Sequence, residues 1–217
     1  MKWNPSTGLL RAEVYERILS DLEQGKIVPG QTFSLGKLAE DMRVSKTPLR
    51  DALLGLQAEG FVTLYPQRGV MVNELSQNDK VELYEVCGQL ESKAIYNIFS
   101  RVTPKHIQRL KDINARMSPD KDISSTAYNR LNMDFHNVYM DLETNTHLKK
   151  VLHTDRLLLF QFAFRDWGAE FQRNNYEEHN RIISIFESGT AEELANYIIQ
   201  EHWSISWLKQ AVASNKI

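Results

Sequence analysis

The chain of 217 residues contains a single cysteine, Cys87. No disulfide can close within it, and a lone thiol fits a reducing compartment. No basic neighbour lowers the pKa of that thiol, so Cys87 reads as a small core residue. Apolar runs of about 18 residues or more are absent, which argues against a membrane-spanning helix. The N-terminus, MKWNPSTG, lacks the apolar centre of a signal peptide, and a cytoplasmic location is expected. Neither internal repeats nor low-complexity segments occur. An excess of positive charge is missing too: the formal net charge is -2. That balance disfavours a structural nucleoid-type binder, which would hold DNA through bulk charge. Any nucleic-acid binding must rest on a local basic patch, for which Arg43, Lys46, Arg50 and Arg68 are available. Hydrophobic residues make up 42% of the chain, enough for two small packed domains or one larger one.

The most informative stretch runs from Phe33 to Tyr65. Its apolar residues recur at helical spacing in two bursts, Leu35-Leu38-Met42 and Leu49-Ala52-Leu53-Leu56. The polar break Arg43-Val44-Ser45 separates them. Ser45 is placed to accept a hydrogen bond from the free amides that begin the second helix. Pro48 falls in the first turn, where proline is tolerated, and Gly60 suits a left-handed helix end. Two helices joined by so short a break form either a helix-turn-helix or a helical hairpin within a larger domain. In the first case the second helix enters a DNA major groove, with Lys46 and Arg50 one turn apart and Thr47 beside them. Two β-prone runs follow, Phe61–Tyr65 and Gly69–Val72, around the turn Pro66-Gln67-Arg68. They predict a two-stranded wing with Arg68 at its tip.

Residues from about 11 to 75 resemble the winged-helix domain of the GntR family of bacterial transcription regulators. The likeness lies in KIVPGQTFS, KLAEDMRVSKTPLRDALLGLQAEGFV and PQRGVMV. The family's valine-serine-arginine-threonine-proline-valine-arginine run appears as Val44-Ser45-Lys46-Thr47-Pro48-Leu49-Arg50. The resemblance implies DNA contacts from Lys37, Arg43, Ser45, Lys46, Thr47 and Arg50, and from Arg68 and Gly69 in the wing. Gly36 departs from the family, which usually places an operator-contacting arginine there. Lys37 is the available substitute.

Upstream, Leu10, Val14, Ile18 and Leu22 form a helical stripe between Leu9 and Gln24, after a loose arm over residues 1–8. Val28-Pro29-Gly30 reads as a turn. Ser76, with Asp79 three residues later, resembles a capping box, and a domain boundary is placed at about residue 75. Domain 1–75 is then the winged helix, and 76–217 an all-helical effector-binding and dimerisation domain. Helices are predicted over 76–100, 104–117, 124–142, 145–168, 171–188 and 191–213. The fold class is mainly α: a winged helix-turn-helix with a two-stranded wing, followed by a helical bundle.

In the second domain Asn132 and His136 are four residues apart and share a helix face. His179 and His202 lie on the two last helices, beside Glu178 and Glu201. Three imidazoles and an oxygen projecting into a bundle would suit zinc, nickel or another divalent transition metal; unrelated histidines on separate helices are the alternative. Residues 76–213 resemble the FCD-type effector domain of the FadR-like branch, through NMDFHNVYM, EEHNRIISIFESGTAEELANYIIQEHW and LYEVCGQLESKAI. Many members hold a metal with an aspartate and three histidines, and this likeness implies the set Asn132, His136, His179 and His202. Asparagine offers only a neutral oxygen, which weakens the site. Cys87 replaces an arginine that in the family faces a carboxylate ligand, which argues against a simple organic-acid effector.

The run Leu157–Phe164 is apolar around most of a helix and is expected to be buried. Arg156 and Arg165 flank it as candidate contacts to an anionic effector. Trp203 and Trp207 are expected to pack on the last helix. His106, His147 and His153 have no counterpart among the family's ligands, and His106 and His147 are expected to face solvent. The leading functional reading is a DNA-binding regulator that reads a palindromic operator as a homodimer and answers to a small-molecule effector, with no membrane association. The alternative is a metal-dependent hydrolase using the three-histidine site, for which only Glu178 and Glu201 offer a general base.

Overall fold

The computed structural model describes residues 5–66, 68–160, 168–204 and 206, without the side chains of residues 5–9 and 23. The chain divides into two compact units, Met1–Leu75 and Ser76–Ile217.

The first unit opens on α1, Pro5–Glu23. It begins earlier than the expected loose arm allows, since proline favours a first helical turn. Val14, Ile18 and Leu22 on its inner stripe are buried, and the helix packs on α3. Gly55 of α3 faces Tyr15, and the Tyr15 hydroxyl donates to Glu59. Helix α2 spans Leu35–Met42 and is capped by Ser34, whose side chain accepts from the Lys37 amide. Helix α3 spans Lys46–Ala58 and buries Leu49, Ala52, Leu53 and Leu56. The break between them turns at Arg43, the one non-glycine residue with positive φ (54°) among the described residues.

Ser45 takes the N-cap position with extended backbone but makes no capping side-chain hydrogen bond. The reason is local. A cap oxygen normally accepts from the third helical residue, and that residue is Pro48, which has no amide hydrogen.

Strands β2 (Val62–Tyr65) and β3 (Gly69–Val72) form the expected antiparallel wing, with Val62 opposite Val72 and Tyr65 opposite Gly69. The sheet gains a short third strand, β1 (Thr32–Phe33), so the order is β1-β3-β2. Two residues are too short to carry a strand-length pattern.

The second unit contains α4 (Gln77–Ile98), α5 (Pro104–Arg116), α6 (Ser125–Met140), α7 (Thr146–Leu158), α8 (Ala169–Ser188) and α9 (Ala191–Tyr197). The Ser76–Asp79 capping box forms in full. Helix α4 packs against α6, α7 and α9, and α5 against α6 and α8. Leu157 to Phe160 are buried as expected. The sixth predicted segment is interrupted within its described residues. After Tyr197 the backbone widens into one π-helical turn, Ile198–His202, and Trp203 leaves helical geometry. Such π turns commonly sit at functional sites, and this one ends on His202. Arg165 and Trp207 lie outside the described residues.

Candidate nucleic-acid interface and metal centre

In the first unit, the start of α3 presents Ser45, Lys46, Thr47 and Arg50 to solvent, flanked by exposed Lys37 and Arg43. The opposite face of α3 is core, so the cations can only point outward. Arg68 is exposed at the wing, whereas Gly69 is buried. Gly69 has φ of 102°, and a Cβ there would lie 2.1 Å from the Phe33 carbonyl oxygen. Its role is therefore to let β1 pair with β3 rather than to reach a partner. Gly36 has open space around it and no side chain to extend.

In the second unit, His136 of α6, His179 of α8 and His202 of the π turn converge. Their ring centroids are 5.0–5.4 Å apart, and one ligand atom from each lies within 4.8 Å of the others. All three are buried. Each ring is held from behind through Nδ1. His136 Nδ1 contacts Glu91 Oε1 at 2.7 Å, and the Tyr139 hydroxyl donates to the same carboxylate oxygen. His202 Nδ1 meets Glu178 Oε2 at 2.8 Å. His179 Nδ1 meets Asn114 Oδ1 at 3.2 Å. The Asn114 amide nitrogen donates to the Tyr176 carbonyl, which sets the orientation of that side chain. Phe135 stacks on His179 with rings 3.8 Å apart and nearly parallel.

Because carboxylates and the Asn114 oxygen only accept, each imidazole donates from Nδ1 and carries its lone pair on Nε2. The Nε2 atoms of His136 and His202 then face each other at 3.3 Å. Two lone pairs at that distance repel unless a cation lies between them. Burial, which outweighs the attraction of Glu91, lowers the His136 pKa to about 4. His179 is likewise depressed, first by burial and then by its histidine neighbours. His179 Nε2 and Asn132 Oδ1 are buried with no hydrogen-bond partner. A divalent metal would satisfy these atoms together, and Zn–N bonds of about 2.0–2.1 Å at tetrahedral angles give N···N edges of about 3.3–3.4 Å. The residues present fit a transition metal. Asn132, one turn before His136 on α6, would offer the oxygen.

Beside the histidines, a cavity of about 10 Å³, room for about one water, is lined by Tyr84, Asn132, Phe160, Phe171, Asn175, His202 and Trp203. The buried Trp203 Nε1 has no partner. Gly88 of α4 makes space for Trp203, since a Cβ there would fall 2.8 Å from the Trp203 Cβ.

Arg156 does not line this cavity. It is buried and lines a cleft between α6 and α7 with Lys149, Lys150 and His153. Its positive charge also acts on Glu91. Burial would raise the Glu91 carboxyl, but His136 and Arg156 outweigh it and hold it near 2. Cys87 is fully buried, and burial raises its thiol well above the ordinary value. His147 and His153 are exposed, while His106 is half-buried and accepts from the Thr103 amide as a helix cap.

Sequence reasoning did not find the three groups behind the histidines. Glu178 adjoins His179 in the chain yet serves His202, and nothing in the local pattern marked Asn114 or Glu91 as partners.

Comparison with known proteins finds matches to both units. Residues 10–72 match the bacterial regulatory proteins of the gntR family, and residues 82–204 match the FCD domain. The chain therefore belongs to the GntR family of transcription regulators, in the branch that carries an FCD effector domain. Among curated relatives, the Nta operon transcriptional regulator of Aminobacter aminovorans is 29% identical over 178 residues, covering 81% of this chain and 84% of that protein. The uncharacterised HTH-type regulator YdhC of Bacillus subtilis is 23% identical, covering 86% and 85%. Among solved structures, Escherichia coli McbR/YncC superposes with a TM-score of 0.74 at 19% identity, covering 94% and 98%. A GntR regulator from Rhodococcus sp. RHA1 gives 0.72 at 16%, covering 93% and 98%. The structural likenesses show the fold. The family is one of regulators that bind DNA and an effector, not of enzymes, and the hydrolase reading finds no support. Among the described residues no helix is long and apolar enough to cross a membrane.

Proposed function

We propose that this protein is a cytoplasmic homodimer that reads a palindromic operator of a metabolic operon and is controlled by a small molecule bound beside a metal in the helical unit. Lys46 and Arg50 contact base edges or phosphates; Lys37, Arg43, Ser45 and Thr47 position the backbone, and Arg68 reaches the adjacent groove. Asn132, His136, His179 and His202 hold zinc or nickel, which supplies a Lewis-acidic point for an effector donor atom. Trp203 offers its indole N–H to the same effector. The effector changes the relative populations of dimer geometries that do or do not match the half-site spacing.

The observation that carries this reading is the pairing, in one chain, of an outward cationic helix start with a buried cluster of inward-facing imidazoles. Selection of bound fragments from genomic DNA tests it. The recovered site should be a palindrome, and Arg50→Ala should weaken binding to it by about 1–3 kcal/mol with the fold intact. Unchanged affinity in that variant would remove α3 from the interface.

A further inference from the structure

Asn132 brings no charge to the metal, so three neutral imidazoles and a neutral oxygen would face a divalent cation. The negative charge of the site lies one residue further out. Glu91 and Glu178 each accept a hydrogen bond from a histidine Nδ1–H, at 2.7 and 2.8 Å. These two histidines, His136 and His202, are the pair whose Nε2 atoms approach to 3.3 Å. His179, backed by the neutral Asn114, is the outlier. A carboxylate behind an imidazole makes the ring a stronger donor and locks its orientation.

We propose that Glu91 and Glu178 are positioning residues that supply, from behind His136 and His202, the negative charge that Asn132 does not, so that this centre holds a divalent transition metal without a ligating carboxylate. The inference rests on the metal reading of the three histidines.

The two carboxylates sit in unlike surroundings. The Glu91 side chain is fully buried, with the Tyr139 hydroxyl on the oxygen that meets His136. The Glu178 side chain is 30% exposed. Glu178 is therefore the position at which the charge can be removed with least disturbance, and glutamine there keeps an oxygen acceptor for His202.

The test is a titration of the metal-stripped full chain with Zn²⁺, and with Co²⁺ read by its visible spectrum, for wild type, Glu178→Gln, Glu178→Asp, Glu91→Gln and Asn132→Ala. Glu178→Gln should weaken metal binding about 10–100-fold, with Glu178→Asp recovering part of the loss and Asn132→Ala costing less than Glu178→Gln. The metal-free melting temperature of Glu178→Gln should match wild type. If Glu91→Gln does not fold, the Glu178 pair decides alone. Affinity in Glu178→Gln within about threefold of wild type would overturn the proposal, as would a greater loss in Asn132→Ala. A fall in metal-free stability that accompanies the affinity loss and is not relieved by aspartate would assign Glu178 a packing role instead. Should wild type bind neither metal, the metal reading itself fails and this proposal with it.

Discussion

Two glycines in the first unit should respond to alanine with opposite signs. Gly69 opens β3 with φ of 102°, and an added Cβ would sit 2.1 Å from the Phe33 oxygen and 3.1 Å from its carbonyl carbon. That obstacle is backbone and cannot swing aside, so β1 must separate from β3 where Phe33 opposes Val70 and Thr32 opposes Met71. Left-handed backbone at a non-glycine residue costs about 1–2 kcal/mol. Each ladder hydrogen bond lost adds about 0.5–1.5 kcal/mol, so Gly69→Ala should destabilise the unit by about 2–4 kcal/mol. Gly36, in the first turn of α2, has nothing within 4 Å of its absent Cβ. There the better helix propensity of alanine should add about 0.5–1 kcal/mol. Urea unfolding followed by circular dichroism, with the two units fitted as separate transitions, measures both. Shifts of the same sign, or a Gly69→Ala midpoint equal to wild type, would refute the argument from the β1–β3 approach.

Arg43→Gly should leave stability equal or raise it by up to about 1 kcal/mol, because Arg43 holds a left-handed backbone at φ of 54°. The same variant should weaken DNA binding and lower its salt dependence by about one phosphate contact, read by fluorescence anisotropy across a salt series. Asn114→Ala removes the bonds to His179, the Tyr176 carbonyl and Asn180. It should cost about 2–4 kcal/mol in urea unfolding; a loss below about 1 kcal/mol would mean that α5 and α8 do not depend on it. The metal-free protein should lose stability as pH falls from about 6.5 toward 4. In that window the unfolded chain takes up protons that His136, lowered to about 4, and His179, also depressed, refuse in the fold. The slope is up to about 1.4 kcal/mol per pH unit for each histidine. Below the ordinary glutamate range Glu91, held near 2, adds a loss of the same sign. Melting curves between pH 4 and 7.5 in the presence of chelator read this directly, and a flat profile would contradict it.

How much of this was legible in the chain depends on the range of the interaction. Elements with a local cause were readable: the α3 stripe Leu49-Ala52-Leu53-Leu56 is buried where its period placed it, and the Ser76–Asp79 cap forms between neighbours. Features set by distant partners were not. Strand β1 exists because Gly69, far along the chain, leaves room for it. The π turn that ends α9 places His202 against Glu178 of α8 and against Tyr84, whose hydroxyl donates to the His202 carbonyl. No period within residues 191–213 reports that constraint. Ser45 failed as a side-chain cap because of Pro48, a local conflict present in the sequence whose weight depends on which amide the cap would need. In the histidine cluster the three rings could be gathered by resemblance. Their orienting partners come from α4, α5 and α8, and only the packed bundle brings them together.

Elemental analysis of the purified full chain, dialysed without chelator, most directly tests the central claim that the buried histidines form a metal centre. About one transition metal per chain is predicted for wild type, and none in His136→Ala or His179→Ala. Wild-type protein that carries no metal, and takes up none when zinc or nickel is added back, would contradict it.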